Sequence, residues 1–245
     1  MNKFTKAIAA IMLIVTAIVV AGCNKPDEPD NGGNNGGGNN ENNNNSYNGH
    51  EYVDLGLPSG TLWATCNVGA ETPEGYGNYF AWGEVQPKGY YDWDNYKYCN
   101  GGNVKELTKY CTDSEHGYNG FTDNLTVLQL DDDVAAVDWG SDWSIPSWNQ
   151  WKELKDNTTS TWTTQNGVNG RLFVASNGNS IFLPAAGSCH SEHNYHLGTG
   201  GEYWSNSLSA RSSRALCLYI GSDCCANDEL SRRDGLSVRP VHSVE

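Results

Sequence analysis

The chain has 245 residues, with 15 Lys+Arg against 29 Asp+Glu and a formal net charge of −14. So acidic a surface repels nucleic acid and anionic lipid, which removes both from the expected partners. Nine Trp, thirteen Tyr and 28 Gly, with little helical periodicity, predict many short strands joined by long loops.

At the amino terminus Lys3 and Lys6 precede an apolar run over 7–20 that is broken only by Thr16. Charge followed by an apolar core is the layout of a secretory signal, and the run is too short to serve as a mature membrane span. It ends in Val20-Ala21-Gly22-Cys23. This resembles the lipobox of bacterial lipoproteins, which implies removal of residues 1–22 and lipidation at Cys23. Several acyl chains anchor stably where one does not. A secreted protein without lipid is the alternative. Loss of Lys3 and Lys6 leaves 13 positive against 29 acidic residues, so the mature charge becomes −16. Asn24 stands where an aspartate would resemble an inner-membrane retention signal. Asp27, Glu28 and Asp30 instead resemble the surface-export signal of Bacteroidetes lipoproteins. The implied location is the outer membrane with the domain facing out, attached through lipid alone.

Residues 31–46 read NGGNNGGGNNENNNNS, which has nothing to bury. Together with Cys23 they make residues 23–46 a lipidated, flexible tether. Residues 47–245 are enough for one domain with a substantial core.

Along that domain, strands are expected at Leu62–Cys66, Asn78–Trp82, Arg171–Ala175, Ser180–Pro184, Tyr203–Asn206, Ala215–Ile220 and Leu236–Val241. Asn166-Gly167, Asn169-Gly170 and Asn177-Gly178 are expected turns. A first helix follows Asp131-Asp132-Asp133, because acids before Val134-Ala135-Ala136-Val137 suit the exposed amides of a helix start. Calcium binding by the triplet is the alternative, although consecutive carboxylates splay and no EF-hand spacing follows. A second helix starts at Ser147, where Ser147 and Gln150 form a capping box and Trp148, Trp151 and Leu154 share a face. The fold class is therefore α+β, with short strands, two short helices and long loops.

Several ordered segments carry a resemblance. They are His50 to Gly60, Leu62 to Ala70, Tyr79 to Glu84, Trp143 to Ser147, Ile181 to Gly187, Tyr203 to Ser205 and Ser237 to Val241. Together they resemble the Fibrobacter succinogenes major paralogous domain family over about residues 50–242, with Ser144 where that family usually has arginine. The resemblance implies a C-type-lectin-like fold. The Pro146 turn and helix also resemble the formylglycine-generating enzymes of that fold, but nothing near the C-terminal cysteines matches their active-site motif.

The C-terminal quarter is compositionally unusual. Lysine stops at Lys155, and five of the six arginines lie after residue 210. Over 205–241 the types Lys, Glu, Gln, Met and Trp supply only Glu229, although they make up 37 of the 245 residues. Changing only the adenines of an AAY asparagine codon can produce none of those five. The pattern resembles the variable region of a diversity-generating retroelement target, which is similar in being a C-type-lectin-like lipoprotein varied on C-terminal loops. A loop segment that merely favours small polar residues is the alternative.

The ligand-binding residues expected from this are Ser188, Cys189, His190, His193, Tyr195, Arg211, Ser213, Arg214, Cys224, Cys225, Asn227, Asp228, Arg232 and Arg233. Arg211, Arg214, Arg232 and Arg233 would make the face locally basic and suit an acidic ligand. The ligand would be an extracellular protein or glycan, read by a monomeric chain with no cofactor.

Other chemistry has weaker sequence signals. Cys189, His190, His193 and His196 could form a zinc set if their loop converged, but no metal is assigned. Cys99 and Cys111 flank Asn100-Gly101-Gly102, and a disulfide is expected if that turn brings them within range. Cys66 reads as a buried thiol. The aromatic run over 89–98 fits either loop packing or ligand stacking. No G-x-S-x-G, P-loop or HExxH is present, so binding is expected in place of catalysis. A structural or adhesive envelope protein, or a cysteine enzyme, are the competing classes.

Overall fold

The computed structural model describes residues 45–243. The signal, Cys23 and most of the tether lie outside them. In chain order the strands and helices are β1 (Ser46–Tyr47), β2 (His50–Asp54), β3 (Leu62–Ala64), α1 (Val134–Trp139), β4 (Trp143–Ser144), α2 (Trp148–Asn157), β5 (Thr158–Gln165), β6 (Val168–Ala175) and β7 (Ser180–Pro184). After them come β8 (Ser188–His190), β9 (His193–Tyr195), β10 (Gly200–Leu208), β11 (Arg214–Gly221), β12 (Cys225–Ser231) and β13 (Val241–His242). The class is α+β and sheet-rich.

Both helices start where the side chains can serve the free amides. Asp133 accepts from the Ala135 and Ala136 amides and, across the chain, from Ile145 N. Ser147 and Gln150 close the capping box of α2. Trp151 and Leu154 are buried and Trp148 is partly buried, as their shared face requires.

The β5–β6 hairpin turns on Asn166 and Gly167, at φ of 48° and 84°. Two left-handed residues match the strand twist, which is why Asn-Gly is favoured there. Asn177-Gly178 turns β6 into β7. Asn169-Gly170 is not a turn. It lies inside β6, paired with β5 and β7. Gly170 is needed for space instead, since a Cβ would lie 2.3 Å from Leu183 O and 2.4 Å from the Phe182 ring.

The strand ladder also departs from expectation elsewhere. Asn78–Trp82 forms no strand: Phe80 makes one bridge to Leu236, and indole bonds hold the segment instead. Leu236–Val241 is strand only from Val241 onward. The unexpected strands β5 and β12 carry no alternation of apolar and polar residues.

Among the described residues four antiparallel sheets result. One has the order β1-β2-β3-β13-β4, in which Val241 pairs with both Trp63 and Ser144 and so joins the two ends of the domain. The others are β5-β6-β7, β8-β9 and β10-β11-β12. The pair β10–β11 divides the interior. Trp204 and Cys217 face a core with Trp82, Trp143 and Leu236, while Tyr203 and Leu218 face a core with Trp63, Trp151 and Phe173. Three buried indoles pin this divider through backbone bonds: Trp82 to Ser205 O, Trp151 to Trp204 O and Trp204 to Phe80 O. Such bonds let tryptophan fill a core without leaving its N–H unpaired.

The long segment between β3 and α1 is tied down by Asp132. Its buried carboxylate accepts from Lys97, Lys109, Tyr98 and Tyr110. The aspartate triplet therefore splays, with Asp132 facing these donors and Asp133 capping α1. Burial pushes the Asp132 carboxyl up, but Lys109, Tyr110, Tyr98 and Lys97 outweigh it and hold it at about 2, below the ordinary 3.8. A depressed folded value means stabilisation that is complete above the unfolded pKa and lost as pH falls through the folded one. Asp132→Asn should therefore lower stability to urea at pH 7 by about 2 kcal/mol. The gap to the parent chain should close as pH drops from 4 to 2, measured by denaturant melts across that range.

Candidate ligand-binding face

Three segments distant in sequence meet at one rim. Cys189 and Gly235 exchange backbone bonds, and so do Tyr91 and Ser191. Gly235 sits on the Tyr91 ring, where a Cβ would fall 2.7 Å from Cζ. These contacts place the β8–β9 hairpin beside residues 90–93 and 232–235.

The side chains there form a connected polar set. His190 Nδ1 lies 2.9 Å from Asp234 Oδ1, and Arg233 Nη2 lies 3.3 Å from His190 Nε2. A guanidinium can only donate, so Nε2 accepts and Nδ1 carries the proton toward Asp234. Arg233 also pairs with Asp92 and sits 6.0 Å above the Trp93 ring. Burial pushes the Asp234 carboxyl up, against the pull of His190 and Arg233. Tyr195 is 48 % exposed, its ring 6.3 Å from His190.

The second half of the face is the surface of β10-β11-β12. Register places Glu202, Tyr219 and Ala226 in one row and Trp204, Cys217 and Asp228 in the next, all on the same side. Glu202 is only 4 % exposed. His196 Nδ1 lies 2.9 Å from its Oε1, while Oε2 meets no protein donor. Burial pushes this carboxyl up, with His196 the main opposing influence and Ser188 a lesser one. The His196 ring lies 6.1 Å from Tyr219.

Of the expected residues, Ser188, His190, Tyr195, Asp228 and Arg233 belong to this face. His193 is exposed at the hairpin, opposite His190. Several others do not belong. Cys189 is buried in the core. Cys225 and Asn227 lie on the other side of β12, because side chains alternate: Cys225 packs on the second core and Asn227 accepts from Lys155 at 2.7 Å. Cys224 is exposed in the turn that precedes them. Arg211 pairs with Glu229, Arg214 donates to Glu229 O at 3.0 Å, and the backbone of Ser213 accepts from Arg232 N.

Arg232 is the largest correction, for it is fully buried. Nη1 donates to Tyr110 O and Ser212 O, Nη2 to Lys109 O, each at 2.9 Å, and Nε to Tyr96 OH at 3.0 Å. Its guanidinium also stacks 5.1 Å from Trp82 and 5.3 Å from Tyr96. The expectation of a basic face fails with it, because all four arginines meet acceptors within the protein.

The cysteine expectations change too. Cys99 and Cys111 are free thiols, donating to Asn103 O at 3.0 Å and Asp113 O at 3.1 Å. Each finds a carbonyl on its own loop, so the turn does not join them. Cys66 is half-buried and lines a surface cleft. Burial pushes the thiols of Cys189, Cys217 and Cys225 up, the reverse of what a nucleophile needs. His190 and His196 hold separate carboxylates, and no metal-ligating group converges among the described residues.

Glu202 and Tyr219 are not legible as site residues, whereas Asp92 and Trp93 lie in the aromatic run over 89–98 for which ligand stacking is one reading. Glu202 and Tyr219 reach the face through long-range pairing, whereas Asp234 lies inside the compositionally unusual stretch. Compared with protein-family models, curated proteins and solved structures, the chain returned no match in any of the three.

The two classes of arginine separate experimentally. Arg232→Ala strands three carbonyls and should cost roughly 3 kcal/mol or more. Arg211→Ala removes an exposed pair and should cost about 0.5 kcal/mol or less. Urea melts of both variants decide this, and equal losses would contradict the burial assigned to Arg232.

Proposed function

We propose that this chain is a lipid-anchored, outward-facing ligand-binding protein of the outer membrane, related to the Fibrobacter succinogenes major paralogous family. Its domain is C-type-lectin-like, and it binds a ligand without catalysis. The observation that carries the binding reading is the convergence of β8–β9, residues 233–234 and one side of β10-β11-β12 into a single polar and aromatic face. That face stands on a scaffold locked by two cores, which is the arrangement that lets loops vary without loss of fold.

The segments behind the family resemblance support it by where they fall. Trp63, Phe80, Trp82, Trp143, Trp204 and Val238 are all buried. They would be framework, and the polar face would be the part free to change. Burial raises the thiols of Cys99, Cys189, Cys217 and Cys225, which argues against these four as nucleophiles. Among the described residues no helix is long and apolar enough to cross a membrane, which fits attachment through lipid on Cys23.

The anchor is tested by feeding cells an alkyne-tagged palmitate. Label should enter the parent chain and be lost from Cys23→Ala, while protease added to intact cells should remove the domain. Diversification makes a demand on the gene. A nearby near-copy of the C-terminal region should differ at adenines, with differences at the codons for Ser188, His190, Tyr195 and Asp228 and none at Arg232. A complete genome without such a copy ends the idea of a locally encoded template.

A further inference from the structure

Most charge on the face is already matched, and the exception is acidic. Glu202 is almost wholly enclosed, yet only Oε1 has a protein partner. A buried carboxylate with a bare oxygen costs free energy, so such groups are normally paired. Ser188 is the nearest further hydroxyl, and it makes no hydrogen bond to Oε2. Asp228 lies in the adjacent row of the same side, and its charge works against that of Glu202. Nor is an arginine available. Arg233 is engaged by Asp92, Arg211 by Glu229, and Arg214 by the Glu229 carbonyl.

Resting on the binding reading above, we infer that the Glu202 end of the face seats a cationic group, the ammonium or guanidinium of a lysine or arginine side chain on a protein partner. A carboxylate can only accept, so whatever completes Oε2 must donate, and charged donors bind it most strongly. Asp228 is exposed and supplies a second acceptor at the rim. Tyr219 presents an aromatic ring beside the carboxylate, which favours a cation further. His196 forms the cover: its side chain is 57 % exposed and its one side-chain hydrogen bond goes to Oε1. The incoming group displaces this imidazole to reach Oε2. Tyr195 is exposed and paired with Ser188 across the hairpin, and its ring contacts the aliphatic stem of the guest. The ligand expected from arginine count alone is thereby reversed in sign.

The test uses the full chain and beads densely coated with capped Gly-Gly-X-Gly-Gly peptides, where X is Lys, Arg, Leu or Glu. Lys and Arg beads should retain the chain about tenfold more than Leu or Glu beads. Glu202→Gln should reduce that retention to the Leu level. Its melting temperature at neutral pH should hold or rise, because a buried charge has been removed. Asp156→Asn, an exposed carboxylate on α2, should leave retention unchanged and so controls for the overall acidic field. Retention that ignores charge, favours Glu or survives in Glu202→Gln overturns the cationic assignment and leaves the binding face standing. Retention that is equally strong in Tyr195→Ala places binding elsewhere, and the face falls with it. No retention on any bead overturns both. Beads carrying glucosamine and N-acetylglucosamine form the last arm. Preference for the amine form without any preference for Lys or Arg overturns the protein partner in favour of an amino sugar.

Discussion

The buried guanidinium of Arg232 is the constraint on which the arrangement of the C-terminal face depends. It collects the carbonyls of Lys109, Tyr110 and Ser212 and the hydroxyl of Tyr96, while its own backbone pairs with Trp82 and Ser213. Four other stretches of chain are thereby held to the one residue that carries this planar, always-charged group. Arginine suits this because its fork of donors is rigid and weakly hydrated, so carbonyls and aromatic faces can replace water around it. Removing it would leave several acceptors dry at once, a larger loss than any single hydrogen bond. The residue beside it, Arg233, inherits its direction from this anchor and points to the rim, where it meets Asp92 and His190.

A second constraint is the strand register of β10, β11 and β12. One side of the sheet closes the core around Trp82 and Trp204 and continues outward into Glu202, Tyr219 and Asp228. The other side closes the core around Trp63 and Trp151. Core and candidate face therefore share strands, and on this side Trp204 and Cys217 close the core while Glu202, Tyr219 and Asp228 lie along the same strands beside them. Change at Asp228 alters what the face offers, while its neighbour Asn227 meets Lys155 on the opposite side. A shift of one residue would exchange these roles, and the packed tryptophans prevent it.

This division qualifies what the unusual C-terminal composition means. The scarcity of Lys, Glu, Gln, Met and Trp spans both sides of β12, yet only one side can contact a ligand at the proposed face. Cys225 and Arg232 sit in the unusual stretch and are nonetheless packed against core. Composition marks a stretch of chain, whereas a binding face is a property of a surface. The same distinction explains why the unmatched charge is acidic. Counting arginines predicts a basic face, but each guanidinium finds an acceptor within reach, and the charge left unmatched belongs to Glu202.

Local physics made part of this protein legible from sequence alone. The acid and serine caps of α1 and α2, the Asn166-Gly167 and Asn177-Gly178 turns, the strands at β6, β7, β10 and β11, and the burial of Trp151 and Leu154 all follow from interactions within a few residues. The α+β class follows from their sum. What the tertiary structure decided are relations between distant residues: which arginine is interior, that Asn169-Gly170 is a strand position crowded by Phe182, that Cys99 and Cys111 stay apart, and that Glu202 and Tyr219 stand beside Asp228. None of these has a sequence signature, because each depends on a long-range register that the whole core sets. A capping serine needs only the next turn of helix, whereas a buried guanidinium needs five segments to arrive together.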